Sequence, residues 1–359
     1  MNYLSLRIGG GMKVPNNKNN LKAGIIGCGR IAGGFEDDPT WLWKPCTHAG
    51  VLSSMEGIEI TAVCDSDDKK AQAFAERWKV PAFYNKVEDF LAHGYFDMVS
   101  ICTPPETHCA ITTMAVALRP RVIFCEKPIA SSINEAEKMV QACRETGIHF
   151  VINHNKRWHP IVKKVKDIVA SGVVGTPIAI VCRYTSGLEV VGTHLVDLLL
   201  NFAEETAPSH IFSLSEKTNI EKLWYSENYS TSDPAYSGVV LFDNGIIGFL
   251  IGSCMKDYPH FAIEIDCSDG QIQLLNNCMD LYVGQTKNNL LFGGVKRLAV
   301  EKYDVNIEKS EMWYAMEENM GLCRGEINKS SSSGENALSV VRLIEQMKKS
   351  SVVFERLYY

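Results

Sequence analysis

Three groups of residues have the types and spacing for chemistry. The first is Gly27-Cys28-Gly29-Arg30-Ile31-Ala32, a G-x-G-x-x-A run. Gly27 permits a tight strand-to-helix turn, Gly29 lets a pyrophosphate approach the backbone, and Ala32 lets helix and strand pack closely. The phosphates would sit on free N–H groups where the helix opens, with Cys28, Arg30 and Ile31 lining the loop. The second is Lys127, which follows the apolar run Val122 to Cys125. An ammonium at the carboxyl end of a strand can hydrogen-bond a reacting oxygen and stabilise alkoxide character. The plainer alternative is a surface lysine at a strand end. The third is His194 with Asp197, three apart and so on one helix face. An imidazole titrating near neutrality suits general acid–base work. A lone histidine is otherwise a satisfied structural one.

An acidic residue should end the second strand, about 20 residues beyond the glycines, and accept hydrogen bonds from the ribose hydroxyls. Asp65 ends that strand but lies further on. The excess is an insertion, Gly33 to Thr47, with two prolines, two tryptophans and no helical pattern; helical chain resumes near His48. A carboxylate at Asp65 repels a 2′-phosphate, which favours NAD(H) over NADP(H). The alternative is a helix cap, and Asp67 is better placed for that. The insertion carries Phe35, Trp41 and Trp43, whose faces suit a sugar ring or the cofactor edge. It also carries Glu36, Asp37 and Asp38, which could receive sugar hydroxyls. With a short substrate-side loop at Thr185 to Val191, these residues predict a wall or lid over the substrate; anchoring to the core or to a partner subunit is the competing reading.

The elements that must position these groups follow from patterning. Apolar runs at Ala23–Ile26, Ile58–Cys64, Met98–Cys102, Val122–Cys125 and His149–Ile152 read as strands. Helical patterns at Asp67–Val80, Glu106–Leu118 and Ile133–Thr146 separate them. Ser132-x-x-Glu135 reads as a capping box and Gly147 as a stop. Alternating strands and helices imply a doubly wound parallel sheet. After a helix at Pro160–Ser171, strands dominate: Pro177–Tyr184, His210–Ser215, Gly238–Phe242, Ile246–Ile251 and Phe261–Ile265. Asp243-Asn244-Gly245 is a hairpin turn signal, and Glu335–Lys349 has helical spacing. The chain therefore reads as a loose tail at 1–20, a Rossmann dinucleotide-binding domain at 21–155, and a C-terminal α+β domain at 156–359. The Ser330–Ser333 run reads as a short solvated loop.

The 359 residues, 46% apolar and 22% charged, suit two globular domains with large cores. A net charge of -6 argues against a nucleic-acid scaffold. The 12 cysteines form no C-x-x-C pair and sit mostly in apolar runs, as buried thiols do. Zinc and disulfide frameworks are not expected, nor is a membrane span or a signal peptide, and the expected location is cytoplasmic. His154 and His159 flank Arg157-Trp158 without paired carboxylates or cysteines, which suits a domain junction rather than a metal site.

These residues resemble the Gfo/Idh/MocA oxidoreductase family over nearly the whole chain from Leu21. The resemblance rests on Gly27 to Ala32, on Ile101-Cys102-Thr103-Pro104 with His108, and above all on Glu126-Lys127-Pro128. It continues through Asn155-Lys156-Arg157 and Ser171-Gly172-Val173-Val174-Gly175, and ends at Gly192-Thr193-His194-Leu195-Val196-Asp197. It implies a Rossmann domain followed by an open, mostly antiparallel sheet that carries substrate and oligomer contacts, in a homodimer or homotetramer. It implies a nicotinamide cofactor contacted by Thr103, Pro104, His108, Glu126 and Lys127, a cis Lys127–Pro128 bond, and a sugar, sugar derivative or nucleotide sugar as substrate. Lys127 and His194 then carry catalysis, with Asp197, Arg157 and Asn155 as substrate-contacting or orienting residues. One departure stands out: many relatives carry an aspartate four residues before the histidine, and this chain has Val190, with Glu189 adjacent. Two other readings share the cofactor site. One is a glycoside hydrolase working through transient oxidation by a held NAD. The other is a non-catalytic cofactor or sugar sensor, against which the presence of both Lys127 and His194 counts.

Overall fold

The computed structural model describes residues 20–41, 43–216, 233–253, 258, 260–289 and 293–354. The expected tail at 1–20 lies, but for residue 20, outside them.

The N-terminal half runs β1 (Leu21–Ile26), α1 (His48–Leu52), β2 (Ile58–Cys64), α2 (Asp68–Trp78), β3 (Phe83–Tyr84), α3 (Val87–Leu91), β4 (Met98–Ile101), α4 (Pro105–Ala115), β5 (Val122–Cys125), α5 (Ile133–Thr146) and β6 (His149–Ile152). All six strands pair in parallel, in the order β3-β2-β1-β4-β5-β6. β4 and β5 are wholly buried, as parallel strands covered on both faces must be. The order reverses between β1 and β4, which opens a crevice at their carboxyl ends. Gly147 ends α5 in the left-handed region, as expected. Ser132 caps that helix through the Glu135 N–H, but the Glu135 carboxylate accepts from the Ser132 hydroxyl, so only one arm of the expected box forms as read.

The C-terminal half runs α6 (Pro160–Ala170), β7 (Pro177–Thr185), α7 (Thr193–Phe202), β8 (Pro208–Glu216), β9 (Tyr236–Phe242), β10 (Ile247–Ser253), β11 (Phe261–Cys267), β12 (Gly270–Leu275), β13 (Asp280–Asn288), β14 (Lys296–Tyr303), α8 (Glu311–Arg324), α9 (Gly334–Ser350) and β15 (Ser351–Phe354). Its nine strands are ordered β14-β13-β12-β11-β7-β10-β9-β8-β15. Among the described strands, only the β7–β10 and β8–β15 pairs are parallel. The β9–β10 hairpin turns where expected, with Asn244 Oδ1 accepting from the Ile246 N–H.

One apolar core lies beneath this sheet, against α6, α7 and part of α9. Two more flank the Rossmann sheet. The last two helices join the halves. α8 puts Met312, Met316 and Met320 into the core that holds β1 and Phe124. α9 gives Ala337 and Leu338 to the core on the other face of the Rossmann sheet, and Val340, Leu343 and Met347 to the C-terminal core. Between them, the serine run is not a solvated loop. Ser330 and Ser332 are buried, Glu318 holds Ser330 and Ser331, and the Ser332 hydroxyl donates to the Ile152 carbonyl. Serine reads as a loop residue in sequence, yet here its hydroxyls satisfy a buried junction.

Candidate active site

The glycine loop leaves β1 at Gly27, whose φ of +94° suits glycine. A Cβ there would lie 2.7 Å from the Cys102 carbonyl carbon, whereas nothing lies within 4 Å of one on Gly29. One position is closed by neighbouring backbone and the other is open to a ligand. The helix expected after the loop is a single turn, in which Gly33 and Gly34 both donate to the Gly29 carbonyl, followed by a 3-10 turn at Gly34–Asp37. The glycine loop therefore leads into a single turn rather than the start of a long helix. The half-exposed Asp65 accepts from the Cys28 N–H (2.8 Å) through Oδ2 and from the Asp67 N–H (3.0 Å) through Oδ1. Asp67 caps α2, as expected. Burial, with the Asp65 charge behind it, pushes the Cys28 thiol far up, so it is inert. Ile31 is half-buried against the core, and its carbonyl accepts from the His48 N–H.

At the end of β4, half-buried Thr103 and exposed Pro104 lead into α4. His108 is corrected here. It is wholly buried, with Nε2 2.8 Å from the Thr103 carbonyl and Nδ1 3.1 and 3.2 Å from the carbonyls of Pro128 and Ile129. It ties the two strand-end loops together from behind and presents no atom to a cofactor.

Lys127 leaves β5 through a cis peptide to Pro128, as the resemblance implied. Its Nζ donates to the Val190 carbonyl at 3.1 Å. Burial pushes its pKa down, while the charges of Glu126 and Asp233 hold it up. Glu126 Oε1 accepts from Asn153 Nδ2 (2.7 Å) and lies 2.8 Å from His48 Nε2. Burial opposes its charge, but the bond and charge of His48, with Asn153 and Lys127, hold the carboxyl below its usual range. His48 is buried at the first turn after the insertion.

The segment from Gly187 winds a π-turn at Leu188–Gly192 and passes directly into α7. His194 therefore stands on the same run as the carbonyl that Lys127 contacts. Burial, then the positive charge of Lys127, push His194 well below the usual histidine range. The imidazole is therefore neutral at neutral pH. Among the described residues, His194 Nδ1 and Asn155 Oδ1 are buried and have no hydrogen-bond partner, the kind of groups a ligand satisfies.

Asp197 and Arg157 are corrected as substrate contacts. Arg157 Nε donates to both Asp197 oxygens (2.8 and 2.9 Å) and Nη1 donates to Glu205 (2.6 Å). His154 Nδ1 lies 2.8 Å from Asp197 Oδ1. Both charged groups are buried, and each satisfies the other. Burial opposes the Asp197 charge, but Arg157 and His154 hold its carboxyl far below the usual range, so it is no proton acceptor. Among the described residues no group of three His, Cys, Asp or Glu is placed to hold a metal ion.

In the insertion, the three acids do not await sugar hydroxyls. Glu36 Oε1 accepts from the N–H groups of Cys46 (2.7 Å) and Thr47 (2.9 Å), Asp37 pairs with Arg77, and Asp38 pairs with Arg30 (3.1 Å). Phe35 lies 4.5 Å under the Arg30 guanidinium and 4.9 Å from Trp41. Trp41 and Trp43 remain 43% and 39% exposed. The insertion thus braces Arg30 beside the glycine loop.

His48, Asn153 and Asp233 join the site without having been singled out from sequence. The one available signal for His48 was its position at the first helical residue after the insertion.

The geometry is that of a Rossmann dinucleotide-binding domain followed by a mostly antiparallel sheet. Residues 21–154 match the Gfo/Idh/MocA model described as "Oxidoreductase family, NAD-binding Rossmann fold". D-apiose dehydrogenase of Rhizobium rhizogenes is 31% identical over 174 residues, 48% of this chain and 46% of that one. The chain spans about half the length of such curated relatives. D-glucoside 3-dehydrogenase of Escherichia coli is 25% identical over 67% of this chain and 72% of that one. In fold, the chain matches UDP-N-acetylglucosamine 3-dehydrogenase of Acidithiobacillus ferrooxidans with a TM-score of 0.74, 18% identity, and coverage of 92% and 98%.

Proposed function

We propose that the chain is an NAD(H)-dependent dehydrogenase or reductase of a sugar, sugar derivative or nucleotide sugar. One observation carries the reading: Lys127 reaches from the Rossmann domain to the Val190 carbonyl, on the run that leads directly to His194. An ammonium from one domain and a neutral imidazole from the other thereby meet at the crevice.

The open approach to Gly29, the closed turn at Gly27 and the Asp65 carboxylate fit a dinucleotide, and Asp65 favours NAD(H) over NADP(H). When bound, the nicotinamide supplies hydride-transfer chemistry. In the oxidative direction neutral His194 accepts the hydroxyl proton, and Lys127 donates a hydrogen bond to the same oxygen as its charge develops. In the reductive direction His194 returns the proton. Glu126 and Asp233 oppose the loss of charge that burial imposes on Lys127. The dehydrogenase names of relatives support a sugar-class substrate. We further propose a homodimer or homotetramer, formed on the outer face of the nine-stranded sheet.

The test is a screen of sugars, uronic acids and nucleotide sugars for NADH formation, followed by Lys127→Ala and His194→Ala. Each variant is expected to fold and bind NAD(H) while losing roughly 10²-fold in turnover. Near-normal turnover in both, or clearly tighter binding of NADP(H) by the wild type, contradicts the reading.

A further inference from the structure

We propose that Asp233, on the segment before β9, is the carboxylate that positions the reacting pair. The proposal rests on the reading of Lys127 and His194 given above.

Asp233 Oδ1 accepts from the Glu189 N–H (3.1 Å), and Oδ2 accepts from the N–H groups of Glu189 (2.9 Å) and Val190 (3.0 Å). The adjacent Pro234 carbonyl accepts from the Leu188 N–H (3.1 Å). Two consecutive residues thus take up the first three N–H groups of the π-turn. That turn offers the Val190 carbonyl to Lys127 and carries His194 at its far end. The carboxylate fits tightly, because a Cβ on Gly187 would overlap its oxygen and carbon atoms. Just before this contact, Ser186 holds a φ of +101°, a conformation that persists only where surrounding contacts impose it.

The groups facing Lys127 are consistent with this role. Glu126 at the end of β5 and Asp233 before β9 favour its ammonium form, burial disfavours it, and neutral His194 on α7 adds no charge. Asp233 is itself pushed up by burial and drawn back by the Glu189 and Val190 N–H groups. Glu189 on the turn pairs with Lys348 of α9, so its charge is answered locally. Asp233 therefore does two things through the turn: it sets where Lys127 and His194 stand, and it favours the charged lysine. It is a positioning residue.

The test uses the full chain and two variants with different physics. Asp233→Asn removes the charge and keeps one acceptor. Gly187→Ala keeps the charge and displaces the carboxylate. Both are expected to fold and to bind NAD(H) as the wild type does. In both, the pH profile of Lys127 labelling by an amine-reactive reagent, read by mass spectrometry, should move to lower pH. In both, kcat/KM should fall by roughly tenfold or more, the scale of one charge-assisted hydrogen bond. Asp233→Glu should recover part of each loss. A labelling profile and kcat/KM at wild-type values in both variants overturn the proposal, as does loss of folding in both, which would make Asp233 a structural cap alone. If the wild type oxidises no sugar, the functional reading fails while the labelling profile still decides the role of Asp233.

Discussion

His159 shows how one buried side chain links a local bond to the behaviour of the whole protein. Its Nδ1 accepts from the Ile161 N–H (3.2 Å) at the start of α6, so that nitrogen must stay unprotonated. Burial lowers its pKa from 6.5 to about 4. The folded state thus binds its proton less readily than the unfolded chain. Stability is full above about pH 6.5, falls as the pH drops toward 4, and levels off below that, with a loss of up to about 3 kcal/mol from this group. His194 is shifted in the same direction and adds to the loss. His159→Asn can still cap the helix but cannot titrate. Thermal melts between pH 4 and 7 should show a shallower acid decline for this variant than for the wild type. Parallel declines would assign the effect elsewhere.

At the scale of elements, the insertion is the part whose role changed most between pattern and structure. Its carboxylates face inward or pair with arginines, and its Phe35 lies under Arg30, one residue past Gly29. Its contacts are therefore with the glycine loop and with its own backbone. Phe35→Ala removes the cation–π support of Arg30 and is expected to weaken NAD(H) binding by about two- to fivefold, with folding retained. Titration of tryptophan fluorescence measures this, and Trp41 and Trp43 supply local reporters. A raised substrate KM with unchanged NAD(H) affinity would restore the lid expectation.

At the scale of the molecule, the nine-stranded sheet buries one face on helices, and no described helix packs on the other. The pairing places Phe212, Val239, Phe249 and Val181 side by side on that outer face. Leu241 and Ile247 form part of a second row, and Phe212 is 55% exposed. A contiguous apolar patch of this kind is unusual on a monomer. A second copy of this chain is the expected cover. Light scattering should find a dimer or tetramer for the wild type and a smaller species for Phe249→Glu, whereas a monomeric wild type would contradict the assembly. No described helix is long and apolar enough to cross a membrane.

By itself the sequence determined much, though not all, of what is local in the chain. The glycine turn, the β2-end carboxylate, the Lys127 strand end, the alternating elements and the β9–β10 hairpin all follow from short-range sterics and periodicity, and each stands where the pattern put it. Only the tertiary structure decided which polar groups are consumed and which are free. Asp197 shares a helix face with His194, yet Arg157, forty residues away in the chain, claims it. His108 looks like a strand-end ligand until the Pro128 loop closes on it. Glu126 meets His48 across 78 residues, and Asp233 meets Val190 across 43. No periodicity carries such pairings, because they arise when separate cores bring distant chain segments together, and a buried charge then takes whichever partner the packing supplies.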